Sequence, residues 1–271
     1  MQNDKKDEAY NIYKKVLAVK QAENKPVKPE RIMPAKGVLI KQRTPFLRVR
    51  FFRSEKLRVV NKQLRLYAVT DSSCLKNGIS LAEAVEDAVK GGATIVQLRE
   101  KNKSYEEILE MAKDLKLVCR KYGVPLIIND SIKIADQSGA DGVHLGLEDG
   151  DLLYARRVLG EDAVIGATAH NLHEAQAAWA AGADYLGCGA VFQSPTKKNT
   201  TPISLEELKE ICMKIPIPVV AIGGINYLNM MQLKDTGIAG VAVVSSLFAQ
   251  DDIRTSAMTL KSVAMKTLEN V

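Results

Sequence analysis

The chain has 271 residues, of which 46% are hydrophobic and 26% charged, which is typical of a globular protein with enough length for one large domain or two small ones. It contains no apolar run near the roughly 20 residues that span a bilayer, no apolar signal core at its N-terminus and no C-x-x-C pair among its four cysteines. A membrane protein, a secreted protein, a zinc site and a disulfide scaffold are therefore not expected, and we predict a cytoplasmic protein.

The formal net charge of +6 is unevenly distributed along the chain. Residues 1–63 hold 17 Lys and Arg against 6 Asp and Glu, a balance of 17 − 6 = +11, which leaves −5 for the remainder. Prolines at positions 26, 29 and 34 break the chain, and there is little apolar material, so we predict that residues 1–63 form a basic extension that is mobile or loosely docked. We expect residues 64–271 to form the catalytic domain. Nucleic acid is not an expected partner, although the extension could contact polyanions.

From residue 64 onward, apolar runs of strand length alternate with amphipathic segments of helix length. Strand followed by helix, eight times over about 200 residues, predicts an α/β fold and specifically a (β/α)8 TIM barrel, with a doubly wound open sheet as the alternative. A repeated segment, Gly139-Ala140-Asp141 and Gly182-Ala183-Asp184, lies where a helix would end and a strand begin, and favours the barrel. The predicted strands are Leu64–Thr70, Thr94–Leu98, Pro125–Ile128, Gly142–Leu145, Val164–Ala167, Tyr185–Gly187, Pro218–Ile222 and Gly240–Val243.

Polar residues follow the predicted strands at the ends that share one mouth of a barrel. After strand two, the side chains of Arg99 and Lys101 could bind an anion. Alternatively, Glu100 and Lys101 could form an ion pair in a solvated loop. After strands three and four, Asp130 and Asp149 could hold Mg²⁺ between them, or each could cap the following helix. Thr168 after strand five could donate a hydrogen bond to phosphate, whereas His144 is expected to be a core residue or to support a loop.

The last three strands are followed by loops that suit phosphate. Hydroxyls and a lysine follow strand six in Ser194-Pro195-Thr196-Lys197, which could instead be an ordinary basic turn. Glycines follow strand seven and serines follow strand eight, where barrels often bind phosphate through backbone N–H groups. These loops predict a phosphorylated ligand.

Six ordered segments resemble thiamine-phosphate synthases: Leu66–Asp71, Gln97–Lys101, Asn129-Asp130, Gly139–Asp149, Ala183–Gly187 with the Ser-x-Thr-Lys loop, and Val220–Ile225. The resemblance covers about Leu64 to Ile253 and implies an Mg²⁺-dependent transferase that forms a C–N bond. It implies two small-molecule substrates, a 4-amino-2-methylpyrimidine carrying a diphosphooxymethyl group and a methylthiazole phosphate or its carboxylated precursor. The products would be thiamine phosphate and pyrophosphate.

The resemblance also implies roles for individual residues. Asp130 and Asp149 would be the metal ligands, and Arg99, Lys101, Lys197 and Thr168 would act in catalysis. The residues expected to bind substrate are Gln97, Leu98, Arg99, Glu100, Lys101, Asn129, Thr168, Ser194, Pro195, Thr196, Lys197, Gly224, Val244 and Ser245.

Four positions depart from the family pattern. Thr168 replaces a serine and Ser194 a threonine, so both keep a hydroxyl. Ser131 stands where the family usually has Arg, and Leu147 stands where it usually has Gln; both replacements could weaken support of the site. A thiazole tautomerase of the same fold and a non-catalytic binder of phosphorylated ligands are the alternative functions. A homo-oligomer is possible, and the resemblance does not extend to residues 1–63.

Overall fold

The computed structural model describes residues 60–76, 78–146, 149–193 and 203–269. All of these lie in a compact unit that runs Val59–Val271. The expected basic extension, apart from its last four residues, lies outside the described residues, as do Leu147 and the loop Ser194-Pro195-Thr196-Lys197. Within the described ranges, no helix is both long enough and apolar enough to cross a membrane.

Eight parallel strands form a closed barrel in sequence order, with β1 also paired to β8. The predicted TIM barrel is therefore confirmed, and the open doubly wound sheet is excluded because it has no such closing pair. The predicted strand ends differ from the observed ones by no more than two residues. The strands are β1 Leu66–Val69, β2 Ile95–Leu98, β3 Leu126–Asn129, β4 Gly142–Leu145, β5 Val164–Ala169, β6 Tyr185–Cys188, β7 Val219–Ile222 and β8 Gly240–Val243.

Helices follow most of the strands, and their starts are encoded locally. The first two begin with a capping box, in which a serine and the glutamate three residues later satisfy each other's free backbone N–H groups. Their bounds are α1 Leu81–Lys90, α2 Tyr105–Tyr122, α3 Ile132–Ser138, α4 Leu152–Leu159, α5 Leu172–Ala180, α6 Leu205–Lys214, α7 Ser245–Phe248 and α8 Ile253–Thr267.

The segment between β7 and β8 differs from the expected eightfold repeat, because it contains the 3-10 helix Met230–Leu233 in place of an α-helix. Asn226 and Asn229 explain the difference. The Asn226 side chain accepts from the backbone of Leu228 at 2.9 Å, and Asn229 Nδ2 donates to the Gly224 carbonyl at 2.9 Å. Such local bonds from asparagine compete with the backbone bonds of a helix.

The barrel interior is filled by every second residue of the strands, as the period-two geometry of a strand requires. Tyr67, Ile95, Ile127 and Tyr185 are all buried in one cluster. Val60 also belongs to this cluster and is 2% exposed. The residues just before β1 are therefore part of the barrel core.

The repeated Gly-Ala-Asp segments form two similar clamps between neighbouring strands. The Asp141 carboxylate accepts from the backbone N–H of Leu126, and the Asp184 carboxylate accepts from that of Ile165. Each aspartate also forms an ion pair with a basic residue of a preceding helix. Asp141 pairs with Lys116 on α2 at 2.6 Å, and Asp184 pairs with Arg156 on α4 at 2.6 Å. The Asp184 side chain is 9% exposed and the Asp141 side chain 39%.

We expect Asp184→Ala to lower the free energy of unfolding by about 3 kcal/mol, because it leaves the Arg156 charge without its buried partner. The matched substitution Asp141→Ala should cost about 1 kcal/mol, since that pair is more exposed to water. Urea unfolding of the two variants measures the difference. Equal losses would show that burial of the ion pair does not set its contribution.

Candidate functional site

Two carboxylates lie together at the C-terminal mouth of the barrel, and neither caps a helix. Ser131 caps α3, because its hydroxyl accepts from the backbone of Ile134, and Asp151 caps α4. Asp130 instead has a left-handed backbone with φ of 64°. Asp149 accepts from the Gly146 N–H at 3.0 Å. The capping interpretation of Asp130 and Asp149 is therefore wrong.

The two carboxylates influence each other electrostatically. Partial burial, followed by a hydrogen bond from protonated Asp130 to the Asp149 carboxylate and by the charge of Asp149, raises the pKa of Asp130 to about 6. Lys101 and Arg99 act on the same carboxyl group in the opposite direction. The structure thus brings together two of the predicted cations and both predicted metal ligands. A cation between the carboxylates would relieve their repulsion.

The loop after β2 is held by its glutamate. The Glu100 carboxylate accepts from the Thr70 hydroxyl at 2.8 Å and from the Ser72 hydroxyl at 2.6 Å. The Thr70 hydroxyl in turn accepts from the Arg99 backbone N–H at 3.0 Å. Glu100 thus ties the loop after β1 to the loop after β2, in place of the solvated pair with Lys101. Leu98 is 1% exposed, so its side chain belongs to the core.

A chain of hydrogen bonds joins two predicted substrate-binding residues through the barrel interior. Gln97 Nε2 donates to the Tyr67 hydroxyl at 3.0 Å, and the Tyr67 and Tyr185 hydroxyls lie 2.8 Å apart. His144 Nδ1 is 3.0 Å from the Tyr185 hydroxyl, and His144 Nε2 is 3.1 Å from the Thr168 hydroxyl. Burial lowers the pKa of His144 to about 4, so its ring is neutral near pH 7.

The two tyrosines in this chain of hydrogen bonds were not predicted from the sequence. Tyr67 and Tyr185 were counted as apolar strand residues, although each carries a hydroxyl that needs a partner when buried. The period of two along a strand was the signal that could have shown where these side chains point. Tyr67 lies two residues before the inward-facing Val69, and Gln97 lies two residues after Ile95, so both face the barrel interior. The prediction that His144 is a satisfied core residue fits its two ring contacts.

The loops after β6, β7 and β8 are joined to one another. The Ser246 hydroxyl donates to the Ile225 carbonyl at 2.8 Å, which links the loop after β8 to the loop after β7. Gly224 has φ of 65°, and a Cβ on it would lie 2.7 Å from the Gln193 carbonyl oxygen. Only glycine therefore suits this position, where the loop after β6 packs closely. Ser245 begins α7 beside these loops, and Val244 precedes it.

We predict that Asp130→Asn stabilises the protein in EDTA by about 1 kcal/mol at about pH 7.5, after allowance for solvent screening, and that this gain falls to about a third of that value at about pH 4.5. The folded pKa of Asp130, about 6, lies above the ordinary aspartate value of 3.8. The folded protein therefore binds the extra proton between these values, and wild-type stability falls as the pH rises through that window. Asparagine also tolerates a left-handed backbone.

Urea unfolding at the two pH values gives the measurement, with Asp136→Asn on the exposed part of α3 as the control. The control should show no comparable pH-dependent gain. Equal stability of wild type and Asp130→Asn at both pH values would mean that the two carboxylates do not repel each other.

Comparison with known proteins identifies the family of this chain. Residues 66–247 match the family described as thiamine monophosphate synthase. The thiamine-phosphate synthase of Clostridium novyi is 52% identical over 73% of this chain and 98% of its own length, and that of Clostridium tetani is 45% identical over 72% and 92%. The solved thiamine phosphate pyrophosphorylase of Pyrococcus furiosus superposes with a TM-score of 0.70 at 37% identity, covering 77% of this chain and 99% of that one. The predicted family is confirmed: this chain belongs to the thiamine-phosphate synthases.

Proposed function

We propose that this chain joins a diphosphooxymethyl aminopyrimidine to a methylthiazole phosphate, giving thiamine phosphate and pyrophosphate. The observation that carries the proposal is the pair of carboxylates at the mouth, which face Arg99 and Lys101 and do not cap their helices. A diphosphate needs cations around it, and this mouth offers two basic side chains and a place for a third positive charge.

The residues at the mouth fit Mg²⁺. Asp130 and Asp149 supply oxygen ligands, which this ion prefers, and no third His, Cys, Asp or Glu converges on them among the residues that the structure describes. Mg²⁺ usually keeps several waters and takes one or two carboxylates together with substrate phosphate oxygens. When bound between Asp130 and Asp149, the ion would neutralise charge on the departing pyrophosphate.

The chain's own side chains would act on the same leaving group. Arg99 can hold phosphate oxygens through its planar fork of donors, and Lys101 adds a compact positive charge. In this proposal Lys197 contributes a third basic side chain from the loop after β6. The bond from the methylene carbon to the diphosphate oxygen breaks first, and the pyrimidine's amino group stabilises the resulting cation. The thiazole nitrogen then attacks that carbon, so no protein nucleophile is needed.

Binding and orientation account for the remaining proposed roles. Gln97, Asn129 and Thr168 would orient the pyrimidine, with the backbone of Leu98 and Glu100 completing that side. Holding both substrates in one mouth removes much of the entropic barrier to their reaction. The thiazole phosphate would bind the joined loops, through Ser194, Pro195, Thr196, Gly224, Val244 and Ser245.

We also infer that the basic extension is not required for the reaction. The family match begins at residue 66. Val60 and Leu64 are buried with barrel residues, so a deletion that tests this inference must end before Val60. Removal of residues 1–58 should leave turnover within about twofold of the full chain.

We expect Asp130→Ala and Asp149→Ala each to reduce pyrophosphate release at least about 100-fold, because each removes a ligand for the charge on the leaving group. The matched control is Asp151→Ala, two residues from Asp149. Asp151 caps α4, so its loss should cost about 1 kcal/mol of stability and leave turnover nearly intact. Pyrophosphate release is measured with both substrates, and stability by urea unfolding.

Chelation provides the second arm of the same experiment. Excess EDTA should abolish wild-type turnover, and added Mg²⁺ should restore it. Turnover that persists unchanged in EDTA would contradict the metal site. Isomerisation of the thiazole phosphate without coupling would favour a thiazole tautomerase, and binding of both substrates without any turnover would favour a non-catalytic binder.

A further inference from the structure

The hydrogen-bonded chain from Gln97 to Thr168 has a direction. Gln97 presents its amide nitrogen, which can only donate, to the Tyr67 hydroxyl. The Tyr67 and Tyr185 hydroxyls lie 2.8 Å apart, and Tyr185 lies 3.0 Å from His144 Nδ1. Because each buried hydroxyl proton needs an acceptor, Tyr67 must donate to Tyr185, and Tyr185 must donate to His144 Nδ1. A neutral imidazole that accepts at Nδ1 carries its proton on Nε2. His144 Nε2–H therefore donates to the Thr168 hydroxyl oxygen.

The opposite direction leaves one buried proton without an acceptor. If Thr168 donated to His144, then His144 would donate to Tyr185 and Tyr185 to Tyr67. The Tyr67 hydroxyl would then accept from both Tyr185 and Gln97, and its own proton would have no partner in this chain. Both tyrosines are fully buried, where an unsatisfied donor is costly. The reverse chain requires Gln97 to present its oxygen in place of its nitrogen.

Two glycines leave the space that this chain occupies. A Cβ on Gly166 would lie 2.2 Å from Tyr185 Cζ and 2.5 Å from His144 Nδ1. A Cβ on Gly187 would lie 3.0 Å from His144 Cε1. The neighbouring strands β5 and β6 thus lack side chains at the two places where the Tyr185 and His144 rings lie, 5.5 Å apart between centroids.

We propose that His144 is a positioning residue, which holds the Thr168 hydroxyl as an acceptor from Nε2–H and so directs the hydroxyl's own proton to an acceptor atom of the bound pyrimidine substrate. The last part rests on the proposed function, in which Thr168 contacts that substrate. The direction of the chain does not, since it follows from Gln97, the two tyrosines and His144 alone.

Nitrogen-15 NMR of labelled full-length protein tests the direction without any turnover. The protein has three histidines, so the set of signals that disappears in His144→Gln belongs to His144. We expect Nε2 to carry the proton and Nδ1 to be a bare, hydrogen-bonded nitrogen near pH 7. A proton on Nδ1 with Nε2 bare, or protons on both, would overturn the proposal.

Two Tyr→Phe variants form a matched pair, because each removes one buried hydroxyl from the same chain. Tyr185→Phe removes the donor to His144, so the Nδ1 signal should shift toward that of a free nitrogen. Tyr67→Phe leaves the bond from Tyr185 to His144 in place, so Nδ1 should keep its wild-type position. An Nδ1 signal unmoved by Tyr185→Phe would overturn the proposal. If Tyr185→Phe fails to fold, the wild-type proton positions decide alone.

Kinetics test whether His144 acts through Thr168. His144→Asn cannot reach Thr168 and should lower kcat/KM about tenfold, whereas His144→Gln places an amide donor near the former Nε2 position and should recover much of the loss. In the Thr168→Val background, His144→Asn should cost less than about twofold more. Additive losses would assign His144 a role independent of Thr168. A wild-type protein with the expected tautomer but no turnover would refute the proposed function and leave the direction of the chain standing.

Discussion

The site depends on two carboxylates that the fold holds side by side against their mutual repulsion. Such an arrangement persists only where the surrounding structure over-determines it. Here the backbone of Asp130 is left-handed, and its N–H donates to the His144 carbonyl at 2.9 Å. Asp149 is held by the Gly146 N–H, and a Cβ at Gly146 would lie 2.3 Å from its carboxylate oxygen. The backbone therefore holds the two carboxylates in position to bind a positively charged group.

The sequence predicted the barrel well because its signals are local and repeated. Buried parallel strands appear as short apolar runs, and every described α-helix except α7 begins with a side-chain cap, so element order could be read without tertiary information. The position of the site followed from the fold, because the chemistry of such barrels is built at the C-terminal ends of their strands. The 3-10 segment after β7 was not foreseen, since it depends on side-chain bonds of Asn226 and Asn229 to nearby backbone.

The roles of neighbouring polar residues could not be resolved in the same way. Asp130 and Ser131 are adjacent, and Asp149 and Asp151 nearly so, and each of these residue types is a good helix cap. Only their side-chain hydrogen bonds to the backbone show that Ser131 and Asp151 perform the capping. Similarly, Glu100 looked like a surface partner of Lys101, although its carboxylate joins the loops after β1 and β2. The division between structural and ligand-binding residues lies in angles that the order of residues does not reveal.

The polar chain inside the barrel has a consequence for how this fold can be divided. It alternates between the two halves of the barrel: Tyr67 and His144 belong to β1 and β4, while Tyr185 and Thr168 belong to β6 and β5. A cut between β4 and β5 would separate Tyr185 from both of its partners. It would leave the His144 imidazole without hydrogen-bond partners among apolar residues. These halves are matched to each other by hydroxyls and a ring, and neither is a self-sufficient unit for fragment reassembly.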